Sequence, residues 1–264
     1  MRASPRPSHG CNPGRRKRTS EGKEASAMTW SIIAHDDATK RTGIVVASKF
    51  FAVGALVPHI KAGVGALASQ ALINPYFGAR GLALLERGVP AETVLAELVG
   101  SDQGRANRQL HVMDGNGNFA AYTGVAAIDW CGHELRPGYS VAGNMLAGPA
   151  VLAETIRSYE ANAALAFSQR LIAALVAGEA AGGDKRGKQS AALLIHDAED
   201  YPLYDLRVDD HPEPLAELAR LEEVARQRWL HFRRFMPSRQ HASGLLDRGQ
   251  LEALIAKSIA EGYR

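Results

Sequence analysis

The sequence predicts an α+β domain in which antiparallel sheets carry helices layered on them. The apolar pattern runs strands, two helices, strands, two helices, strands, and this grouping differs from the single alternation of a parallel fold. A second observation sets where the domain begins. Residues 1–27 hold Arg2, Arg6, Arg15, Arg16, Lys17, Arg18 and Lys23 against Glu21 and Glu24, mixed with Pro, Ser and Gly and without apolar periodicity. Such a stretch cannot bury enough apolar surface to offset the entropy of ordering it. It also lacks the apolar run of a secretory signal, and reads as a disordered or targeting leader or as a misassigned start ahead of Met28.

Residues 29–34 and 43–48 are β-branched runs around a polar turn, the pattern of an opening hairpin. Strands over 57–61 and 63–70 follow, with glycines that indicate close backbone approach. Helices are expected over 79–86, stopped by Gly88, and over 91–99, with Pro90 in the first turn. Two apolar runs, 110–113 and 119–123, flank an Asp114-Gly-Asn-Gly117 turn and predict a hairpin. A strand over 139–142 precedes a helix from Pro149 and a second over 165–177. Strands over 190–195 and 203–208 close the domain. Beyond residue 218 the composition turns to charged helix, 215–235 and then 247–260, so residues 28–218 read as the domain and 219–264 as a helical appendage. Packing or dimerisation is the expected use of those helices.

Removing the leader's seven basic and two acidic residues from the chain's 31 and 28 leaves 24 against 26, a net charge of −2 instead of +3. The basic balance therefore points to no nucleic-acid partner, and no basic stripe with interleaved aromatics occurs in the body. No run approaches the length of a membrane span. Two cysteines, Cys11 and Cys131, provide neither a disulfide framework nor a thiolate metal site, which suits a reducing cytoplasm. Asp209-Asp210-His211 resembles a fragment of a metal site but has no partner ligand at matching spacing, so neither metal nor cofactor is expected. Gly-x-Ser-x-Gly is absent, and 143–148 lacks the Lys-Ser/Thr ending of a phosphate loop. His35, His59, His111, His133 and His196 are scattered and read as surface or satisfied core residues.

Chemistry is expected where strands end. Thr29 follows Met28 directly; if translation starts at Met28, removal of the initiator leaves Thr29 with a free α-amine beside its hydroxyl, nucleophile and base in one residue. Lys49, after Ser48, would depress that amine's pKa by like-charge repulsion, or it is simply a solvated strand-end charge. Gly143 and Asn144 supply donors for an oxyanion, or form a turn. Residues 182–190 gather Asp184, Arg186, Gln189 and Ser190, either as site residues or as a loop tied by an ion pair.

These residues sit within longer matches. Met28-Thr-Trp-Ser-Ile, Val46-Ala-Ser-Lys-Phe50, Phe51-Ala-Val-Gly54, Ala62-Gly-Val-Gly-Ala66, Tyr76-Phe-Gly-Ala-Arg-Gly81, Gly138-Tyr-Ser-Val-Ala-Gly-Asn144, Ala181 to Ser190 and Asp205 to Pro212 cover most of the body. On these segments, Met28 to about Leu218 resembles the bacterial domain-of-unknown-function family 1028 (DUF1028), placed in the N-terminal nucleophile (Ntn) hydrolase superfamily. The resemblance implies a four-layer αββα sandwich of two antiparallel sheets between helical layers. It also implies that Thr29 attacks an amide carbonyl, that Ser48 and Lys49 are the supporting polar pair, that Gln70, Gly143 and Asn144 support the oxyanion, and that Asp184, Arg186, Gln189 and Ser190 organise the site or bind substrate. The expected function is a cytoplasmic amidohydrolase that cleaves a small or medium amide and assembles as a homo-oligomer. Arg186 or Arg80 is expected to read a substrate carboxylate. The alternative is a catalytically silent scaffold of the same fold that binds a metabolite or a partner subunit, with Thr29 capped inside the chain.

Overall fold

A computed structural model describes residues 29–127 and 129–263; the expected leader lies outside them. Among the described residues, ten strands form two antiparallel sheets. Strands β1 (Thr29–Asp36) and β2 (Arg41–Ser48) make the opening hairpin, paired from Thr29 against Ser48 to Asp36 against Arg41. Both faces of this hairpin are covered, which is why its sequence reads as a nearly continuous apolar run instead of an alternating one. Trp30, Ile32 and Ala34 point to one side, while Ile33, Ile44 and Val46 point to the other.

The smaller sheet is built from β3 (Pro58–Lys61), β4 (Gly65–Ala71), β5 (Arg108–Asp114) and β6 (Phe119–Thr123), in that order. Between β4 and β5 run helices α1 (Tyr76–Glu86) and α2 (Ala91–Gly100), whose Phe77, Leu85, Val94 and Leu98 pack on Leu67, Leu110 and Val112. The larger sheet adds β7 (Trp130–Arg136), β8 (Tyr139–Leu146), β9 (Ser190–His196) and β10 (Tyr204–Val208) in the order β10-β9-β2-β1-β8-β7. Helices α3 (Ala150–Ala161), α4 (Phe167–Ala180) and α5 (Pro214–Gln227) cover its outer face through Val151, Leu152, Leu171, Leu175 and Leu218. At Gly43 α4 packs closely on β2: a Cβ there would lie 2.7 Å from Leu171 Cδ1. The inner faces of the sheets meet at Ile33, Ile44, Val46, Ala66, Ala68 and Met113. Each large aliphatic buried there contributes about 1.5–3 kcal/mol.

Two elements depart from the expected ones. Strand β7 is not apparent in the sequence because it is a sheet edge, half-buried at its start and exposed over His133–Arg136, with a register shift between Trp130 and Gly132. The helix expected over 215–235 breaks at Arg228 (φ −145°), and a short helix, α6 (Trp229–Arg233), turns away from α5. This bend docks the C-terminal part on the β9–β10 connection. Trp229 Nε1 donates to the Leu203 carbonyl at 2.8 Å, and Arg233 grips Asp197 at 2.6 and 2.8 Å. Helix α7 (Arg248–Ala260) follows, capped by Asp247, which accepts from the Gln250 amide. Among the described residues no helix is long and apolar enough to cross a membrane.

Replacing Ile33, wholly buried between the sheets, by Ala should cost about 2–5 kcal/mol in urea unfolding. Val125→Ala, at a side chain 94% exposed, should stay within about 0.5 kcal/mol of the parent.

Candidate functional site

At the end of the sandwich where β1 begins, four polar residues stand in one row across adjacent strands. Ser190 pairs with Ser48, Ser48 with Thr29, and Thr29 with Asn144. Strand alternation turns this row inward, onto the face that carries Ile33 and Val46. Opposite it, β4 and β5 contribute Gln70, Gln109 and His111, while the alternate Leu110 and Val112 face the helices. Thr29, Ser31, Gln70, Gln109, His111 and Ser140 are completely buried and Asn144 nearly so. Polar groups buried this deeply must be hydrogen-bonded to avoid a desolvation cost of about 1–3 kcal/mol each.

The bonds form one network whose polarity follows from two backbone carbonyls. Gln109 Nε2 lies 3.0 Å from the Gly132 carbonyl, 2.9 Å from that of Gly143 and 2.9 Å from Thr123 Oγ1, so the amide nitrogen must face them. Its Oε1 therefore accepts, from Gln70 Nε2 at 2.7 Å and from Asn144 Nδ2 at 3.0 Å. Gln70 then presents Oε1 to Ser31, whose hydroxyl donates to it at 2.7 Å. With that proton used, Ser31 Oγ accepts from His111 Nε2 at 2.9 Å, and His111 Nδ1 accepts from the Ser140 hydroxyl at 2.7 Å. His111 is thus neutral with its proton on Nε2, and burial, aided by His133, pulls its pKa down to about 3. Asn144 spends its amide hydrogens on Gln109 and on the Thr29 carbonyl at 3.2 Å. Its Oδ1 remains a buried acceptor with no hydrogen-bond partner among the described residues.

Backbone strain accompanies the two amides. Ala71 and Met145, directly after Gln70 and Asn144, have φ of +66° and +54°. Non-glycine residues adopt this region at a cost of about 1–3 kcal/mol, and such costs gather at functional sites.

Of the residues expected from sequence, the fold brings Thr29, Ser48, Gln70, Gly143 and Asn144 together. Thr29 Oγ1 lies 3.2 Å from Ser48 Oγ. Gly143 offers its carbonyl to the network. Ser190 stands in the same row as Thr29 and Ser48, while Lys49, Asp184, Arg186 and Gln189 lie in or against the loop beside it. Asp184 accepts from the Lys49 amide and the Arg186 amide, each at 2.8 Å, and its carboxylate meets the Arg186 guanidinium at 3.2 Å. Arg186 is therefore held by a carboxylate of its own loop. The Lys49 ammonium is exposed and donates to the Lys188 carbonyl at 3.0 Å. Gln189 reaches Asp210, and Ser190 ties the Phe50 carbonyl to the Val53 amide. Arg80 bonds Ser101 on the outer helical layer.

A cavity of about 160 Å³ opens beside Ser48, lined also by Trp30, Glu179, Asp184 and Lys188. A larger cleft of about 450 Å³ is bounded by His35, Thr42 and His196 at the far ends of β1, β2 and β9, roughly 20 Å of strand away from Thr29, and is separate from this network. No group of three or more His, Cys, Asp or Glu side chains placed to hold a metal ion occurs among the described residues.

Ser31, Gln109, His111 and Ser140 were not expected in the site. Period-two alternation puts Gln109 and His111 on one face of a strand, but only the pairing of the two sheets makes that face interior. His111 is a satisfied core histidine, as the sequence suggests.

The lowered pKa of His111 links the network to stability. Unfolded, the imidazole binds a proton near pH 6.5; folded, only near pH 3. Between these values the unfolded state holds more protons, so the contribution is complete above about pH 6.5 and is lost as pH falls. His59, His133 and His196, whose pKa values burial also lowers, act in the same direction. Urea unfolding of His111→Gln should therefore show a shallower loss below about pH 6.5, by on the order of 1 kcal/mol for each pH unit.

The family described as "Family of unknown function (DUF1028)" matches residues 29–218. The crystal structure of protein SPO2555 from Silicibacter pomeroyi, itself assigned to DUF1028, superposes with a TM-score of 0.78 at 34% identity, over 84% of this chain and 97% of that one. Anbu (ancestral beta-subunit) from Yersinia bercovieri aligns over 74% of this chain and 94% of its own at a TM-score of 0.36 and 13% identity, too low to carry a statement about chemistry. No curated protein matches the sequence. From the extent of the family match and the similarity to SPO2555, the chain belongs to the DUF1028 family.

Proposed function

We propose that this protein is an Ntn-type amidohydrolase of four-layer αββα architecture, with Thr29 as its mature first residue. The observation that carries the reading is the pairing of a hydroxyl with an unused acceptor. Thr29 begins β1 beside Ser48, and Asn144 Oδ1, directly across the ladder, is buried and lacks a donor among the described residues. An α-amine on Thr29 would supply such a donor within the same residue as the nucleophile.

The reaction runs in two halves. Thr29 Oγ1 attacks the amide carbonyl carbon while the neutral α-amine takes its proton; the C–N bond then breaks and that proton leaves with the departing amine. This leaves an ester on Thr29. Water, activated by the same amine, attacks the ester, releases the carboxylic acid and restores the hydroxyl. Ser48 orients the nucleophile, Asn144 orients the amine, and Gln109 with Gln70 holds Asn144 in place. Lys49, exposed at the end of β2, acts on the amine through its charge alone.

Screening an amide library with protein starting at Met28 tests the reading. Thr29→Ala should lower turnover by on the order of 10⁴-fold or more, and Thr29→Ser should retain part of it. Asn144→Ala should lower kcat by roughly 10²-fold through a less well placed base. An intact mass showing residues 1–28 retained, with no turnover of any amide, would favour the silent scaffold.

A further inference from the structure

Among the described residues the sheet edges differ in how they are protected. Strand β3 is four residues long, starts with Pro58 and ends with Lys61. β7 carries a register shift and an outward Glu134–Arg136 ion pair, and β6 lies against β7 through the Thr123–His133 hydrogen bond of 2.9 Å. Short length, proline, bulges and charge are the devices by which natural sheets prevent edge-to-edge pairing. β10 has neither proline nor bulge: Tyr204–Val208 pairs in unbroken register with β9 on one side and has no named strand on the other. Alternate backbone groups of such a strand point outward unpaired.

Beside that edge lies an apolar groove of about 840 Å³, walled by Leu206 of β10 and by Leu221, Val224, Trp229 and Phe232 of α5 and α6. Val224 is 47% and Trp229 37% exposed, although both are large apolar side chains. Exposed aromatic and aliphatic groups clustered in this way mark interaction surfaces.

The charges on β10 select the occupant. Asp205 and Arg207 are exposed and flank Leu206; Arg207 pairs with Asp209, while Asp205 makes no ion pair among the described residues. A two-fold axis at Leu206 would set Asp205 of one copy opposite Arg207 of the other, twice, and Tyr204 opposite Val208. An incoming strand must therefore carry an acid and a base two residues apart, in reversed order, around an apolar residue. β10 itself meets that description when run antiparallel. We infer that β10 pairs antiparallel with β10 of a second copy of this chain, joining the two larger sheets into one and closing the α5–α6 grooves against each other. This inference is independent of the chemistry at Thr29.

Light scattering and sedimentation on the full chain test it. The wild type should have twice the 28.3 kDa chain mass. Asp205→Arg and Arg207→Asp should each halve the particle mass, because like charges then face each other across the axis, and the double variant should regain the dimer. Far-UV circular dichroism checks that these exposed substitutions leave the fold intact. Hydrogen exchange on the wild type needs no substitution: protection of the β10 amides should rise with protein concentration. A monomeric wild type, a dimer unaffected by Asp205→Arg, a double variant that stays monomeric, or β10 exchange independent of concentration would each overturn the inference.

Discussion

The arrangement depends on how seven buried polar side chains satisfy one another between two sheets. Gln109 is the centre of that arrangement. Two backbone carbonyls, from Gly132 and Gly143, fix which end of its amide is the nitrogen, and every later donor and acceptor follows, through Gln70 and Ser31 to His111 and Ser140, and through Asn144 to Thr29. An apolar interior at this level would pack without such demands. A half-satisfied polar one would cost more than it contributed, because each unpaired group in a low-dielectric interior carries its full desolvation penalty. The network thus ties β5 of the smaller sheet to β1, β7 and β8 of the larger, and sets the register in which Thr29, Ser48 and Asn144 meet.

One atom is left out of this scheme, and it is the one beside Thr29. Asn144 Oδ1 has no donor among the described residues, although the amide nitrogen of the same side chain is fully used. The strained backbone at Ala71 and Met145 follows directly on Gln70 and Asn144, the two amides bonded to Gln109 Oε1. Strained backbone of this kind gathers at functional sites. In the proposed reading, a free amine on Thr29 is the donor for Asn144 Oδ1. The Asp184 carboxylate accepts from the Lys49 amide and the Arg186 amide, and Asp184 bridges to Leu146, so this residue joins the loop to the ends of β2 and β8.

Much of the fold is legible in the sequence, because its signals are local. The Asp114–Gly117 turn between apolar runs gives the β5–β6 hairpin, and the helical spacing of Val151, Leu152 and Tyr159 gives α3. β7 is not legible: as an exposed edge it has no apolar face to create a period-two pattern. Nor is the break at Arg228, where tertiary bonds from Trp229 and Arg233 override a helical stretch of sequence. For the site, strand ends identify Thr29, Ser48, Gln70 and Asn144, but Ser31, Gln109, His111 and Ser140 become neighbours only when the sheets stack. No one-dimensional spacing encodes that stacking. Lys49 shows the reverse: sequence adjacency to Ser48 sets its place on the chain, while alternation along the strand end turns its ammonium out to Lys188.

Covalent trapping tests the proposed chemistry most directly. A β-lactone or activated ester offered to the Met28-start protein should leave one acyl group, located by peptide mass spectrometry on the Oγ1 of an N-terminal Thr29 and removed in time by water. An enzyme that hydrolyses an amide with residues ahead of Thr29 still attached, or that carries the acyl group on any other side chain, would contradict the account.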